Sequence, residues 1–345
     1  MLEYHAENLP HRISLAMHDF FELTICMPII PEFTPEAHLS DYFNKGLEDI
    51  LTLNNLEIDI PDIGKYNLNV LKLTDDSFKD IFHYSHTILV FQIRVPNDAE
   101  KTEISSSDNN PISLEERVQI YKAYIVDEFK YQSFHLLVLS NISFPGAIKT
   151  WEGVVLLNRE KYSSFPSVSS IHRESLDDII ALKWPTYTTV PILQVWEWYQ
   201  SNNFSFRSHS KTKVARSLNT FTYLFKKNST DIVFDLFWSI IGIEALYCTS
   251  KEGISEQIYE KVQLVLGPVT ESKKKIKAMY NFRSRLVHGD LDIPPNYFDY
   301  EDIDEEKFQK EIFEATILAV AILTTTLQQL IIKNETDLKF KYILE

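Results

Sequence analysis

The sequence predicts an α+β protein: a mixed α/β domain over residues 1–188, followed by an all-α helical bundle over residues 189–345. Three observations predict it. Short apolar runs rich in β-branched and aromatic residues recur through the first half. After residues 184–191 the pattern changes to successive segments with helical spacing. The chain, at 345 residues, is also long for one hydrophobic core and sufficient for two.

In the first half, FFELTICMPII (20–30), HTILVFQIRV (86–95), FHLLVLSNIS (134–143) and GVVLLN (153–158) are expected as strands. Their apolar runs are nearly continuous, as in strands covered on both faces. One helix is expected before the third run. Ser113 and Glu116 make a capping-box pair there, and Val118, Tyr121, Ile125 and Phe129 recur at helical spacing. The polar stretch 96–111 is expected as a loop. In the second half, helices are expected over 192–199, 211–225, 232–248, 254–266, 273–287 and 304–332. Pro185 and Pro191 interrupt both patterns, so the domain boundary is set between them. Segment 315–332 carries no charge and reaches membrane-spanning length. It also holds three adjacent threonines and two glutamines, and strongly charged sequence precedes it. It is expected as a buried central helix, with no membrane partner.

Composition narrows the function. With 44% hydrophobic and 24% charged residues the chain is a globular protein. It has only 8 glycines and no Gly-rich phosphate loop or dinucleotide fingerprint, which argues against ATP or NAD chemistry. A net charge of −15 opposes nonspecific attraction to nucleic acid, so such a partner would need a local basic patch. Cys26 and Cys248 show no metal-ligand spacing and are expected as buried thiols in a reducing compartment. His83 and His86 lack a carboxylate or thiol cluster and are read as loop histidines. No metal and no cofactor is expected. The first residues carry charges where a signal peptide would be apolar, so a cytoplasmic location is expected.

The segment ESKKKIKAMYNFRSRLVHGD (271–290) carries the most chemistry. Lys273, Lys274, Lys275, Lys277, Arg283 and Arg285 face the single acid Glu271, a basic island on which a phosphate backbone could dock. An acidic run, 298–306, follows soon after. Arg283 and His288 fall near the end of one helix, with Gly289 as a C-terminal cap. On an ideal helix they lie about 140° apart and about 7.5 Å along the axis. Imidazole titrates near neutrality and can move protons, and a guanidinium offers forked donors to phosphate oxygens. Together they suit proton transfer beside a bound phosphate. Glu244, an acid among apolar neighbours, could orient either residue or serve as a structural acid. Trp196 and Trp198 could stack bases, or one of them could be buried where the domains meet.

The run YNFRSRLVHG (280–289), preceded by IIGIEALY (240–247), resembles the HEPN superfamily, and within it the Apea-like HEPN branch. The resemblance covers the C-terminal domain only. It implies a metal-independent endoribonuclease, often a homodimer and often a toxin or antiviral defence effector. Arg283 and His288 would be its catalytic pair. Tyr280, Ser284 and Glu244 would support them, and Lys273, Lys274, Lys275, Lys277 and Arg285 would bind RNA. Many members carry Asn where this chain has Ser284. The alternative is a non-catalytic HEPN module that binds RNA or a partner protein. A nucleotide-transferring or metal-dependent enzyme in the N-terminal half has no motif behind it. That half is expected to act as a sensor or regulatory domain, with a ligand or trigger the sequence does not name.

Overall fold

A computed structural model of the chain describes residues 19–29, 37–74, 87–99, 112–169, 172, 175–225, 232–269, 273–291 and 303–340. These form an α+β protein with two compact units. The first unit lies within Met1–Phe33, Ile50–Leu136 and Thr150–Ser167. The second lies within Thr34–Asp49, Leu137–Lys149 and Val168–Glu345. Residues 83 and 86, and 100–111 of the expected polar loop, lie outside the described residues.

The first unit is built on a six-stranded antiparallel sheet. Its strands are β1 (Phe20–Pro28), β2 (Leu56–Ile60), β3 (Gly64–Thr74), β4 (Thr87–Pro96), β5 (Gly153–Leu157) and β6 (Glu160–Phe165), in the order β2-β3-β4-β1-β5-β6. Register sets Phe21 opposite Val95, Leu23 opposite Ile93 and Ile25 opposite Phe91, so one face is a continuous apolar layer. The helix α2 (Leu114–Ser143) belongs to this unit through residue 136, and its Tyr121 meets Phe21 with ring centroids 6.1 Å apart. The Tyr121 hydroxyl donates to the Pro96 carbonyl at 3.0 Å. The opposite face buries a smaller cluster, Cys26, Ile88, Val90, Val154 and Leu156. Continuous rather than alternating apolar character in β1 and β4 follows from burial on both sides.

Two expectations are corrected here. Segment 134–143 is not a strand; it is the last third of α2. The capping box does open this helix, with the Glu116 amide donating to Ser113 Oγ at 3.2 Å and the Ser113 amide donating to Glu116 Oε2 at 2.9 Å. The helix then runs into an environment that buries it all round, which erases helical periodicity and leaves a run that also fits a buried strand. Ser140 Oγ and Asn141 Nδ2 both donate to the Leu137 carbonyl, back-bonds that only a helix offers.

The second correction concerns the boundary expected at 188/189. The helical unit also takes the first part of α1 (Ala37–Leu51) and the end of α2. Polar bonds explain why. Asp49 accepts from Ser143 Oγ at 2.6 Å and from the Ile192 amide at 2.9 Å, at the start of α4 (Ile192–Ser201). Gln328 donates to the carbonyls of Ile142 at 2.8 Å and Thr188 at 2.6 Å. Gly46 lets α1 approach closely, since a β-carbon there would collide with that of Ala147.

The remaining helices are α3 (Leu176–Ala181), α5 (Lys213–Thr222), α6 (Ile232–Tyr247), α7 (Ile254–Leu266), α8 (Lys273–His288) and α9 (Ile303–Ile332). Apart from α3, which was not expected, they follow the helical segments expected from the sequence closely. Helix α9 is long and apolar enough to cross a membrane, yet 89% of its most apolar window is buried in the bundle. Its threonines bond back to carbonyls one turn earlier, Thr324 to Val320 and Thr326 to Ile322. Thr324 and Thr326 also meet His172 and the Tyr247 hydroxyl, each at 2.7 Å. Gly242 brings α6 against α5 and α9; a β-carbon there would stand 2.6 Å from Thr220 Oγ1 and 2.9 Å from Leu323 Cδ1. Trp196 and Trp198 are both buried in this core, and Trp198 Nε1 donates to the Glu335 carbonyl at 3.0 Å. They are not a base-stacking surface.

Candidate active site

Helix α8 forms because Ile276, Met279 and Phe282 recur at helical spacing and bury one stripe. It ends at Gly289, whose φ of 76° suits glycine, and the Asp290 amide donates to the Arg285 carbonyl at 2.9 Å. That is the six-to-one bond of a Schellman cap, so the residues before it, His288 included, are held in the final turn.

Arg283 lies beside the buried stripe and turns toward α6. Its Nη2 stands 3.6 Å from Glu244 Oε1, with side chains 17% and 22% exposed. The pairing is coulombic, since Arg283 Nε and Glu244 Oε1 make no hydrogen bond among the described residues. Burial pushes the Glu244 carboxyl above its ordinary range, and the guanidinium offsets only part of that rise. The Tyr280 ring lies 6.0 Å from the guanidinium carbon. Burial raises its hydroxyl pKa, the Glu244 carboxylate adds to the rise, and Arg283 opposes it.

Glu244 sits near the C-terminal end of α6, where further cations gather. Lys261, 2% exposed, donates to the Tyr247 carbonyl at 2.7 Å, and Lys213 donates to the Cys248 carbonyl at 3.4 Å. Cations there satisfy the carbonyls a helix leaves unpaired and favour its dipole. The Cys248 thiol is pushed up to about 11, first by burial and then by Glu244, with Lys261 and Lys213 opposing. The sequence reading missed Lys213 and Lys261, because neither lies within helical reach of Glu244 along the chain.

His288 is exposed, and no hydrogen bond or ion pair joins it to Arg283 or Glu244 among the described residues. On ideal helical geometry it points roughly 180° from the middle of the buried stripe. The residues in line with it are Asn281 and Arg285, seven and three positions earlier, and half-buried Ser284 flanks them. The structure therefore divides the sequence-derived site between two faces of one helix: Arg283 with Tyr280 and Glu244 inward, His288 with Ser284 and Arg285 outward.

The predicted RNA-contacting lysines also divide. Lys277 pairs with Glu256 at 3.4 Å and Lys273 lies 4.9 Å from the Tyr259 ring centroid, so both are engaged by α7. Lys274 is exposed. Lys275 and Arg285 line a cavity of about 660 Å³ between α3, α8 and α9, to which α9 adds Lys310. Nothing in the sequence links Lys310 to the basic island, since packing alone brings the two helices together. Of the acidic run, residues 298–302 lie outside the described residues, and the rest opens α9.

Compared with known proteins, the chain matches no family model, no curated protein and no solved structure. The HEPN resemblance thus stands on the residues of α6 and α8 themselves.

Proposed function

We propose that the chain is a metal-independent endoribonuclease of HEPN type, cytoplasmic, acting as a toxin or antiviral defence effector. The observation that carries this reading is the arrangement on α8. A half-buried guanidinium is anchored by Glu244, and an exposed imidazole stands on the capped last turn of the same helix. The reaction needs no group beyond these side chains. The RNA 2′-OH attacks the adjacent phosphorus while a base takes its proton. The bond to the 5′-oxygen breaks, and that oxygen takes a proton from an acid, leaving a 2′,3′-cyclic phosphate and a 5′-hydroxyl. Arg283 and Arg285 supply donors to the pentacoordinate phosphorane.

The attacking and leaving oxygens of an in-line displacement lie on opposite sides of the phosphorus, so one imidazole does not reach both, and Arg283 and His288 diverge on one helix. A homodimer resolves both points, because a second copy supplies a second His288 and a second Arg283 across the two-fold axis. Val287, 47% exposed beside His288, gives that end of the helix apolar surface for such a contact.

Purified protein incubated with RNA in excess chelator should cut it, and a 2′-deoxy substitution at the cut site should block the reaction. His288→Ala and Arg283→Ala should each reduce cleavage by at least 100-fold while circular dichroism still reports folded protein. Cleavage that needs added metal, or that survives both changes, would sink the proposal. The second reading is a non-catalytic module binding RNA or a protein, and the Arg283–Glu244 pair favours it, because such a pair also serves structure alone. RNA binding with no cleavage at any protein concentration would decide for it.

A further inference from the structure

We infer that the outward faces of α5 and α6 form a docking surface for an anionic phospholipid bilayer, with Phe234 and Trp238 at the apolar boundary and Arg216, Lys211 and Arg207 over the headgroups. The α6 half of this surface is apolar. Phe234, Phe237, Trp238 and Ile241 recur at i, i+3, i+4 and i+7, and none of the four is buried, Phe234 being 59% exposed. Asp235, the acid in that half of the helix, is buried. Tyr223 lies in the 3-10 turn Tyr223–Phe225 that follows α5 and is 38% exposed. It stacks on Trp238, with ring centroids 4.0 Å apart and planes 12° from parallel, so the apolar stripe continues from α6 onto the end of α5. Contiguous exposed apolar surface of this kind marks an interaction site.

The α5 half is basic. Between Glu197 and Asp231 the sequence holds no acid but carries Arg207, Lys211, Lys213, Arg216, Lys226 and Lys227, in a chain whose net charge is −15. Exposed Arg216 lies on one helical row with Asn219 and Tyr223. Asn219 Nδ2 donates to the Ser208 carbonyl at 3.3 Å, which ties the segment carrying exposed Arg207 and Lys211 to that row. Charge and apolarity together select the occupant. Two copies meeting here across a two-fold axis would set these cations against themselves. A single-stranded nucleic acid suits rings presented separately along a basic groove. Here the apolar side chains share one helix, the cations lie beside them, and Tyr223 and Trp238 cover each other. An anionic bilayer takes both halves: its headgroups attract Lys and Arg, and Trp, Tyr and Phe settle where headgroups meet hydrocarbon. The contact is peripheral, and α9 stays within the bundle.

Co-sedimentation of the full chain with vesicles tests the inference. Vesicles of equal parts phosphatidylglycerol and phosphatidylcholine should bind it at least tenfold more tightly than phosphatidylcholine alone, and added salt should weaken the binding. Phe234→Ser and Arg216→Glu, both at exposed positions, should each weaken it at least tenfold with circular dichroism unchanged. Lys72→Glu, an exposed change in the sheet, and His288→Ala should leave it as it is. Lipids brominated on their acyl chains should quench tryptophan emission in the wild type and less in Trp238→Phe. The inference is overturned if anionic vesicles do not bind, if neutral vesicles bind as well, if either Phe234→Ser or Arg216→Glu binds like the wild type, or if Trp238→Phe is quenched equally. Without vesicle binding, two results would reassign the surface. A 2′-O-methyl RNA, which 2′-OH attack cannot cut, bound by the wild type and lost in both variants would give it to RNA. Twice the chain mass, reduced to one in Phe234→Ser, would give it to a second copy.

Discussion

Replacing Arg283 by alanine should expose what it costs to bury Glu244. At 3.6 Å, the gross attraction between the two charges is about 4.6 kcal/mol for an effective dielectric of about 20. Desolvation opposes it, and the Glu244 carboxyl stays above its ordinary range even with the guanidinium beside it. Arg283→Ala removes the attraction and leaves the desolvation. A loss of about 2–3 kcal/mol is expected, below the range for fully buried pairs because water reaches part of both groups. The pH dependence has a definite sign. A carboxyl whose folded pKa is raised binds its proton more tightly when folded, so its ionisation subtracts stability as pH rises from the ordinary value through the folded one. The subtraction is complete above that window and absent below it. Without Arg283 the window extends upward, so the variant should lose more at pH 8 than at pH 6. Glu244→Gln added to Arg283→Ala should restore at least half of the loss at pH 8. Urea unfolding followed by far-UV circular dichroism measures all of this. Equal losses at both pH values, with no recovery in the double variant, would mean that Arg283 contributes packing and not charge.

Three further outcomes follow from the packing. Gly242→Ala should cost about 1–3 kcal/mol in urea unfolding, since the added methyl must displace Thr220 or Leu323 between tightly packed helices. Gly289→Ala meets no neighbour within 4 Å but must adopt a positive φ, so it should cost about 1 kcal/mol, loosen the turn that carries His288 and slow cleavage; unchanged stability and rate would count against the cap. A fragment of residues 189–345 should fail to unfold cooperatively and should bind a hydrophobic dye. It lacks Asp49, which caps the Ile192 amide, and the Ile142 carbonyl that Gln328 holds. A sharp thermal transition with native helicity would show that the bundle does not need those strands of chain.

Most of the C-terminal helices were legible from long stretches of helical or unbroken apolar pattern, and the end of α8 from Gly289, signals that are all local. The end of α2 was not legible, because burial on every side removes the contrast that a period depends on. The β2–β3 hairpin was missed for a different reason: its apolar residues, Ile58, Ile60, Leu68 and Val70, alternate with Glu57, Asp59, Asn67 and Asn69, so no continuous run drew notice. The domain boundary depends on Asp49 and Gln328, single polar residues whose partners lie more than 90 positions away. At the candidate site, residue identities were readable and their directions were not. Arg283 could be placed on a helix, but its turn toward Glu244 depends on how α6 and α8 pack.

That direction matters for how an Arg-x4-His spacing can act. Five residues turn a helix by about 140°, so the two side chains reach a common atom only by bending around the helix or by meeting a second helix. Glu244 fixes the first possibility against Arg283, because the half-buried ion pair holds the guanidinium on the α6 side. Among the described residues Arg285 has no such anchor, bonding only the Asp290 carbonyl at 3.5 Å. Within one chain, then, the arginine nearer in direction to the imidazole is Arg285, while Arg283 is held on the α6 side. The same division explains why the lysines of α8 are not equivalent. Those engaged by α7 brace the helix, and the basic side chains that line the cavity, Lys275 and Arg285, lie toward α9.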